Sequence, residues 1–459
     1  MHFLHNIKNI YEKSPSWVKA PIGWVPLSIV LGADYRKQKS FLQQSLAWDT
    51  EQLKKNQKKL LFDMVEYAAL STPYYRRLFK DLGLSPRLQS MDQFFKIPII
   101  DKQKVKDLGD DIFSDAIPAS GRYKVMTGGT SGSPLTFFMS TEAYAREWAF
   151  VHELLARYDI RPDDRKLGLR GVPLVQGKAQ SFTKYNPIYR ELQISPFHLT
   201  EEIVSHEVGK FLSFRPIYLH GYPSALELLA KLAKKDGWGR QLKMKGVLAI
   251  SESLYPHQKS MIEDAFGCDV FSFYGHTERL IFAGDSPGRK GYLIDPRYGY
   301  TELVEGELIG TGFINKATPL LRYQTGDLAE IADSDIESSG LDTMPRLEKV
   351  EGRWRQELIA GKNGAKISIT ALNMHSDVFL NVSRFQFYQD EVGQVELKIV
   401  PLAAYDQTRD NRAILQGFRD KVGDELDVQI KLVDSIALTG RQKQLFLVQK
   451  LDLENLEID

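Results

Sequence analysis

The sequence predicts an α/β protein. A large N-terminal domain is expected, with mainly parallel sheets covered by helices plus a β-rich module, followed by a small, mobile α+β C-terminal domain. Three observations carry this. Between Pro216 and Phe273, short apolar runs (Ile217–Leu219, Gly246–Ile250, Cys268–Phe273) alternate with helix-patterned segments beginning at Pro223 and Pro256, the order that builds a parallel sheet. Over Gly288–Asp333 the composition shifts to Gly, Tyr, Thr and Val in short alternating runs, as in a strand-and-turn module. Beyond Arg353 a self-contained set follows. Arg384–Gln389 and Val395–Val400 read as strands around Glu391-Val-Gly-Gln, Asp410–Leu426 as a helix, and Val428–Val433 and Leu445–Leu451 as further strands. The boundary falls near Gly352–Glu357, giving domains 1–352 and 353–459.

The chain has 459 residues, enough for two or three domains with ample core, and its hydrophobic and charged fractions of 43% and 26% are those of ordinary globular proteins. A net charge of +1 gives no reason to expect nucleic acid as a partner. Cys268 is the one cysteine, which rules out an internal disulfide and argues against a cysteine-based metal site. That usage fits a reducing, cytoplasmic setting. No transmembrane segment is expected. The most apolar stretch, Ala20–Ala33, is broken by Pro21, Gly23, Pro26 and Gly32 and is too short to span a bilayer, so it reads as a loop packed on the body.

The elements before the sheet follow in order. From Asp49 to Phe79 the apolar positions Leu53, Leu60, Leu61, Met64, Val65 and Tyr67 or Ala68 recur at helical spacing, with a break at Pro73-Tyr74-Tyr75. Phe94–Ile99, with Pro98, reads as a loop. Thr141–Tyr158 reads as a helix with Tyr144, Trp148, Val151, Leu155 and Tyr158 on its apolar face and His152 beside them as a packed or surface residue. Asp333–Thr343 is a polar surface loop.

Between two predicted strands, Arg122–Met126 and Leu135–Met139, lies Thr127-Gly128-Gly129-Thr130-Ser131-Gly132-Ser133-Pro134. Glycines that bare backbone N–H groups, with hydroxyls added, suit a phosphate ester. A plain Ser/Gly hairpin is the alternative. The stretch is neither a Walker A loop, since no Lys-Ser/Thr pair follows, nor a Rossmann turn, which needs a strand-to-helix exit. In parallel sheets, ligands gather beyond the carboxyl ends of the strands, which singles out His220-Gly221-Tyr222, Ser251-Glu252-Ser253 and Tyr274-Gly275-His276-Thr277-Glu278. Taken alone, Asp327 reads as a turn residue after Gly326, and Glu278 as a helix cap.

In order, however, these motifs resemble those of adenylate-forming, AMP-dependent ligases. Thr127–Pro134 resembles their phosphate loop, Tyr274–Glu278 their aromatic-Gly-x-Thr-Glu element, and Tyr323-Gln324-Thr325-Gly326-Asp327 their Tyr-x-Thr-Gly-Asp. Gly352-Arg353 falls at their hinge, and Leu438–Val448, with Lys443, is similar to their terminal lysine loop. Ser71-Thr-Pro-Tyr-Tyr-Arg-Arg, His220-Gly-Tyr-Pro-Ser and the terminal loop are most similar to the phenylacetate–CoA ligase branch, and within it to CapK-like proteins linked to capsular polysaccharide biosynthesis.

The resemblance implies ATP and Mg²⁺ as cofactors, with a small carboxylic acid as substrate and CoA, or an amine or hydroxyl of a sugar or carrier, as acceptor. It implies that Thr127, Gly128, Gly129, Thr130, Ser131 and Gly132 grip the β- and γ-phosphates, and that Thr277 contacts the α-phosphate. Glu278 would hold Mg²⁺. Tyr274 and Gly275 would face adenine with Glu252 and Ser253 near the base, and Asp327 and Arg353 would serve the ribose. Lys443 would neutralise the charge that builds on the α-phosphate and the attacking carboxylate. The acid pocket would be lined by His220, Gly221, Tyr222 and His276, whose polarity suggests a small or hydrophilic acid. The chain departs from typical relatives in having Arg441-Gln442 before the lysine, Trp354-Arg355-Gln356 after the hinge and Leu135 after the phosphate-loop proline. The first two departures motivate the second reading, a nucleotide-binding interaction protein without turnover.

Overall fold

A computed structural model of the chain describes residues 25–127, 135–170, 182–332, 344–351, 358–372, 377–379, 381–436 and 447–453. The chain divides into two compact units. One is drawn from Met1–Val125, Leu135–Pro162 and Phe273–Arg353, the other from Met126–Pro134, Asp163–Ser272 and Trp354–Asp459.

The first unit opens with helices. Thr50–Ser71 starts at a capping box in which Asp49 accepts from the Gln52 N–H and Gln52 reaches back to the Asp49 N–H. Pro73 then sits at the first position of the helix Pro73–Asp81, where a missing N–H costs nothing. Leu61, Met64, Val65 and Ala68 face a core shared with Tyr75, Phe94 and Ile100. The stretch expected to be a loop over Ala20–Ala33 is helical where described, in Leu27–Val30 and then Gly32–Ser45. The proline lies before the first helix and Gly32 begins the second at φ +85°, so neither residue interrupts a helix from within. The loop expected over Phe94–Ile99 follows a short helix, Met91–Phe94, and a second short helix, Lys102–Leu108, precedes the strand Arg122–Met126.

Helix Thr141–Ala156 buries Ala143, Glu147, Phe150, Val151 and Leu154, while Tyr144 of the expected stripe is 40% exposed. Val151 and Leu155 of that stripe are buried as expected, and Glu147 is turned inward as well, towards buried partners of its own. His152 is packed, as expected, and shares a 2.8 Å hydrogen bond with the Tyr35 hydroxyl.

The rest of this unit is antiparallel sheet. Phe282–Gly284, Tyr292–Ile294, Arg346–Glu351, Tyr323–Ala332, Glu307–Gly312 and Gly299–Val304 pair in that order, and the last residues of Asp269–Gly275 pair with Phe282–Gly284. This is the strand-and-turn module read from the sequence.

The second unit holds the parallel sheet. Glu191–Ile194, Lys166–Leu169, Tyr218–Gly221, Gly246–Ala249 and the first half of Asp269–Gly275 run parallel, and Thr183–Asn186 closes the outer edge antiparallel. Leu167, Leu169, Leu219, Val247 and Val270 on one face pack with Val204, Phe211, Leu226, Leu229 and Ile262 of the helices Glu201–Phe214, Pro223–Asp236 and Pro256–Phe266. The C-terminal residues form a four-stranded sheet in the order Asp427–Leu432, Gln394–Pro401, Val382–Gln389, Leu447–Gln449. Helix Gln407–Val422 lays Ile414, Phe418 and Val422 on it. The structure is thus mixed α/β, and among the described residues no helix is long and apolar enough to cross a membrane.

Candidate functional site

In the first unit the end of Asp269–Gly275 delivers the motif Tyr274–Glu278. The half-buried Tyr274 donates its hydroxyl to Asp327 Oδ2 at 2.9 Å. Asp327 is fixed in turn, because its N–H donates to Thr325 Oγ1 at 3.1 Å and the Thr325 hydroxyl donates to the Leu308 carbonyl at 2.8 Å. Between them Gly326 takes φ +76°, a conformation that favours glycine. Burial, and then the Asp327 charge, push the Tyr274 phenol well above its usual range, so it stays a donor. The His276 ring lies 5.6 Å from that of Tyr274, and the Tyr323 hydroxyl points to Glu278 Oε1 at 3.5 Å, a long contact. The structure therefore brings Tyr274, His276, Glu278 and Asp327 together from two stretches some fifty residues apart in sequence.

What holds this loop was not read from the sequence. Immediately after Glu278, Arg279 has φ +62°, a left-handed conformation that strains a side-chain-bearing residue. Its guanidinium donates to Glu147, which also accepts from the Tyr298 hydroxyl. On the other side the backbone of Arg279 and Leu280 rests in a notch made by glycines. A Cβ on Gly299 would stand 2.0 Å from the Leu280 carbonyl oxygen, and one on Gly312 2.3 Å from that of Arg279. These two glycines are cross-strand partners, and Gly310, on the same face, would meet Leu280 Cβ at 2.7 Å. Glycines alternating inside strands were the available signal for a close backbone approach.

In the second unit, His220 and Gly221 are the last residues of Tyr218–Gly221, inside the strand end and not beyond it. Gly221 is required by packing, since a Cβ there would lie 2.7 Å from the Leu169 carbonyl oxygen. Tyr222 caps the helix Pro223–Asp236, and its ring packs against the apolar cores of both the parallel sheet and the C-terminal residues. Glu252 follows Ser251, which is left-handed at φ +64°. Its carboxylate accepts from the Ser224 N–H and hydroxyl, each at 3.1 Å, at the start of that same helix, where partial positive charge favours it. Burial nevertheless raises its pKa, and a hydrogen bond with Ser368 pulls the other way. Ser253 is partly exposed next to it, and Thr127 is buried at the end of its strand.

On the opposite face the strands Lys166–Leu169 and Glu191–Ile194 carry a polar cluster, whereas Leu248 and Phe271 keep the inner strands apolar. Glu191, fully buried, accepts from Arg170 on both oxygens at 2.8 and 2.9 Å and from Gln193 at 3.0 Å. These charges hold its carboxyl below the usual range although burial opposes them. Lys166, also buried, is brought down to about 8 by desolvation. Neither Arg170 nor Glu191 was singled out from the sequence, because the ion pair joins two strands whose register composition does not reveal.

Gly128, Gly129, Thr130, Ser131, Gly132, Arg353 and Lys443 lie outside the described residues. Among the described residues no three His, Cys, Asp or Glu side chains converge as a metal site. Cys268 is half-buried, and burial pushes its thiol up to about 12, so it is inert as a nucleophile.

Comparison with known proteins agrees with this architecture. Residues 359–450 match the family model of the CapK C-terminal domain. Protein CapK of Staphylococcus aureus is 22% identical over 398 residues, covering 85% of this chain and 87% of that protein. Phenylacetate-coenzyme A ligase of Thermus thermophilus is 23% identical over 302 residues, covering 61% and 65% respectively. Among solved structures, 2-hydroxyisobutyryl-CoA ligase in complex with 2-HIB-AMP and CoA superimposes with a TM-score of 0.54 at 18% identity, covering 89% of this chain and 92% of that one. The fold is similar to that of this acyl-CoA ligase. Residues 359–450 are similar to a CapK C-terminal domain, and the chain is similar to Protein CapK over most of its length and to phenylacetate-coenzyme A ligase over a shorter stretch.

Proposed function

We propose that the protein activates a carboxylic acid with ATP and passes the acyl group to an acceptor. The acid's carboxylate attacks the α-phosphorus of ATP, pyrophosphate leaves, and an acyl-adenylate forms. A nucleophile then attacks the acyl carbonyl and AMP leaves. The acceptor is the CoA thiol or an amine or hydroxyl of a sugar or carrier; the resemblance to CapK-like proteins favours surface polysaccharide assembly as the setting, and the lone cysteine fits a reducing, cytoplasmic one.

The observation that carries this reading is the contact of Tyr274 with Asp327 beside Glu278. An aromatic face for adenine stands next to a carboxylate able to accept from both ribose hydroxyls, and the Tyr274 hydroxyl fixes one of its oxygens. Glu278 suits Mg²⁺ because a hard cation that keeps its waters needs only one or two carboxylates once nucleotide phosphates share it. Bound there, Mg²⁺ would neutralise phosphate charge. Thr277 is assigned to the α-phosphate, Glu252 and Ser253 to the base, and Gly275 to close approach at the adenine face. Thr127 to Gly132 take the leaving pyrophosphate, Arg353 the ribose, and Lys443, from the C-terminal residues 353–459, the charge that develops at the α-phosphate. His220, Gly221, Tyr222 and His276 are assigned to the acid.

Pyrophosphate release across a panel of acids tests this, compared with Asp327→Ala and Lys443→Ala. Release that is acid-dependent and lost in both variants is the expected result. The alternative, a nucleotide-binding interaction protein, is favoured by Arg441-Gln442 and Trp354-Arg355-Gln356, and predicts ATP binding with no adenylate from any acid.

A further inference from the structure

The polar cluster on the parallel sheet is more than a buried ion pair. Gly168 is the cross-strand neighbour of both Gln193 and His220, and its missing side chain leaves a gap. Glu191 fills that gap, since a Cβ on Gly168 would lie 2.3 Å from Glu191 Oε1. Through it Glu191 reaches Arg170, the residue just past the carboxyl end of Lys166–Leu169, and grips it with both oxygens. Arg170, with a side chain 27% exposed, is the accessible member of the cluster. Beside it, His220 is 5% exposed and its Nδ1 is buried with no hydrogen-bond partner among the described residues.

A buried, unpartnered imidazole nitrogen is a costly arrangement in a stable sheet, and leucine would be the cheaper residue. Such a group is explained when a ligand supplies the missing partner. The place is also right, because ligands of parallel sheets sit at the carboxyl edge. We propose that Arg170, positioned by Glu191, and His220 form the recognition point for a second oxygen-bearing group of the acid, so that hydroxylated or dicarboxylic acids are activated in preference to hydrocarbon ones. This rests on the reading of the chain as an acid-activating ligase.

The electrostatics agree with the geometry. Burial, Arg170 and Lys166 all depress the His220 pKa, so the imidazole is neutral in a field that favours an electron-rich oxygen. A neutral imidazole can donate to such an oxygen or accept from a hydroxyl. Hydrocarbon acids would leave both nitrogen and guanidinium without a ligand oxygen, and a site built to hydrogen-bond a substrate group rejects analogues that lack it.

ATP–pyrophosphate exchange with the full chain tests this, using butanoate, 3-hydroxybutanoate, succinate and phenylacetate. The expected result is a kcat/KM at least about tenfold higher for 3-hydroxybutanoate or succinate than for butanoate and phenylacetate. Whichever of the two leads decides between a hydroxyl and a second carboxylate. That preference should fall towards unity in His220→Leu and recover in His220→Gln, which restores a hydrogen-bonding group. A merely structural histidine would not move the ratio. Equal use of butanoate, or a preference that survives His220→Leu, overturns the proposal. If no acid supports exchange, the adenylation reading fails by itself, and binding of the same acids followed by saturation-transfer NMR decides this one. Selective binding of the oxygenated acids, lost in His220→Leu, supports it, and its absence overturns it.

Discussion

Replacing Gly299 by alanine tests whether the glycine notch sets the loop Tyr274–Glu278, to which the proposed function assigns the nucleotide. The new Cβ would stand 2.0 Å from the Leu280 carbonyl oxygen, while ordinary contact begins at 3.4 Å, so the loop backbone must retreat by about 1.4 Å. It cannot do so freely, because Arg279 is tied to Glu147 one residue before the clash and one after Glu278. The displacement is therefore passed to Thr277 and Glu278. Misplacing a reacting group by 1 Å can cost about a hundredfold in rate, and overpacking costs about 1–3 kcal/mol of stability. The expected outcome is a fall of about a hundredfold in kcat/KM for ATP–pyrophosphate exchange, with a moderate loss in urea denaturation. Gly306→Ala is the control. It lies in the turn of the same strand pair, at φ +80° with nothing within 4 Å, so it should cost about 1–2 kcal/mol of backbone strain without moving the loop. If Gly299→Ala exchanges pyrophosphate within about twofold of Gly306→Ala, the positioning argument is wrong.

Three further outcomes follow from the same geometry. Gly168→Ala should destabilise by about 3–5 kcal/mol, the cost of breaking a buried charge pair, and most of that should vanish in a Glu191→Ala background, where nothing occupies the gap. Equal costs in both backgrounds, measured by urea denaturation, would contradict it. His220→Leu should stabilise the protein by about 1–2 kcal/mol at neutral pH by removing an unpartnered buried nitrogen. Because the folded-state pKa of His220 is depressed, its unfolded form binds the proton more readily, so stability is lost as pH falls below about 6.5. In the leucine variant, denaturation curves between about pH 6.5 and 5 should show a shallower loss than wild type, and an unchanged slope would count against the assignment. Asp327→Ala should strip the Tyr274 hydroxyl of its carboxylate partner, cost about 1–3 kcal/mol, and weaken AMP binding in calorimetry, whereas unaltered AMP affinity would remove Asp327 from the ribose role.

Much of the organisation was legible before any coordinates. The apolar runs at 217–219, 246–250 and 268–273, with helices between them, became parallel neighbours because a strand buried on both faces and joined by a helix has few other options. The elements of 382–449 likewise fell where alternation and helical spacing put them. Where local pattern misled, tertiary partners were responsible. Helix Thr141–Ala156 buries Val151 and Leu155 of the expected stripe but also turns Glu147 inward, where Arg279 and Tyr298 hold its carboxylate. An inward glutamate is invisible to a hydrophobic count.

The sequence by itself determined the class of fold, the order of the motifs and the residue types that the proposed function assigns to nucleotide and acid, since these depend on periodicity and on short-range chemistry. Only the tertiary structure decided that Tyr274 meets Asp327, that Arg279 and Leu280 lie on Gly299 and Gly312, and that Glu191 crosses Gly168 to hold Arg170 beside His220. Each of those contacts joins segments whose approach is set by strand register and backbone distance. Those are properties of the packed chain, which no local stretch encodes alone.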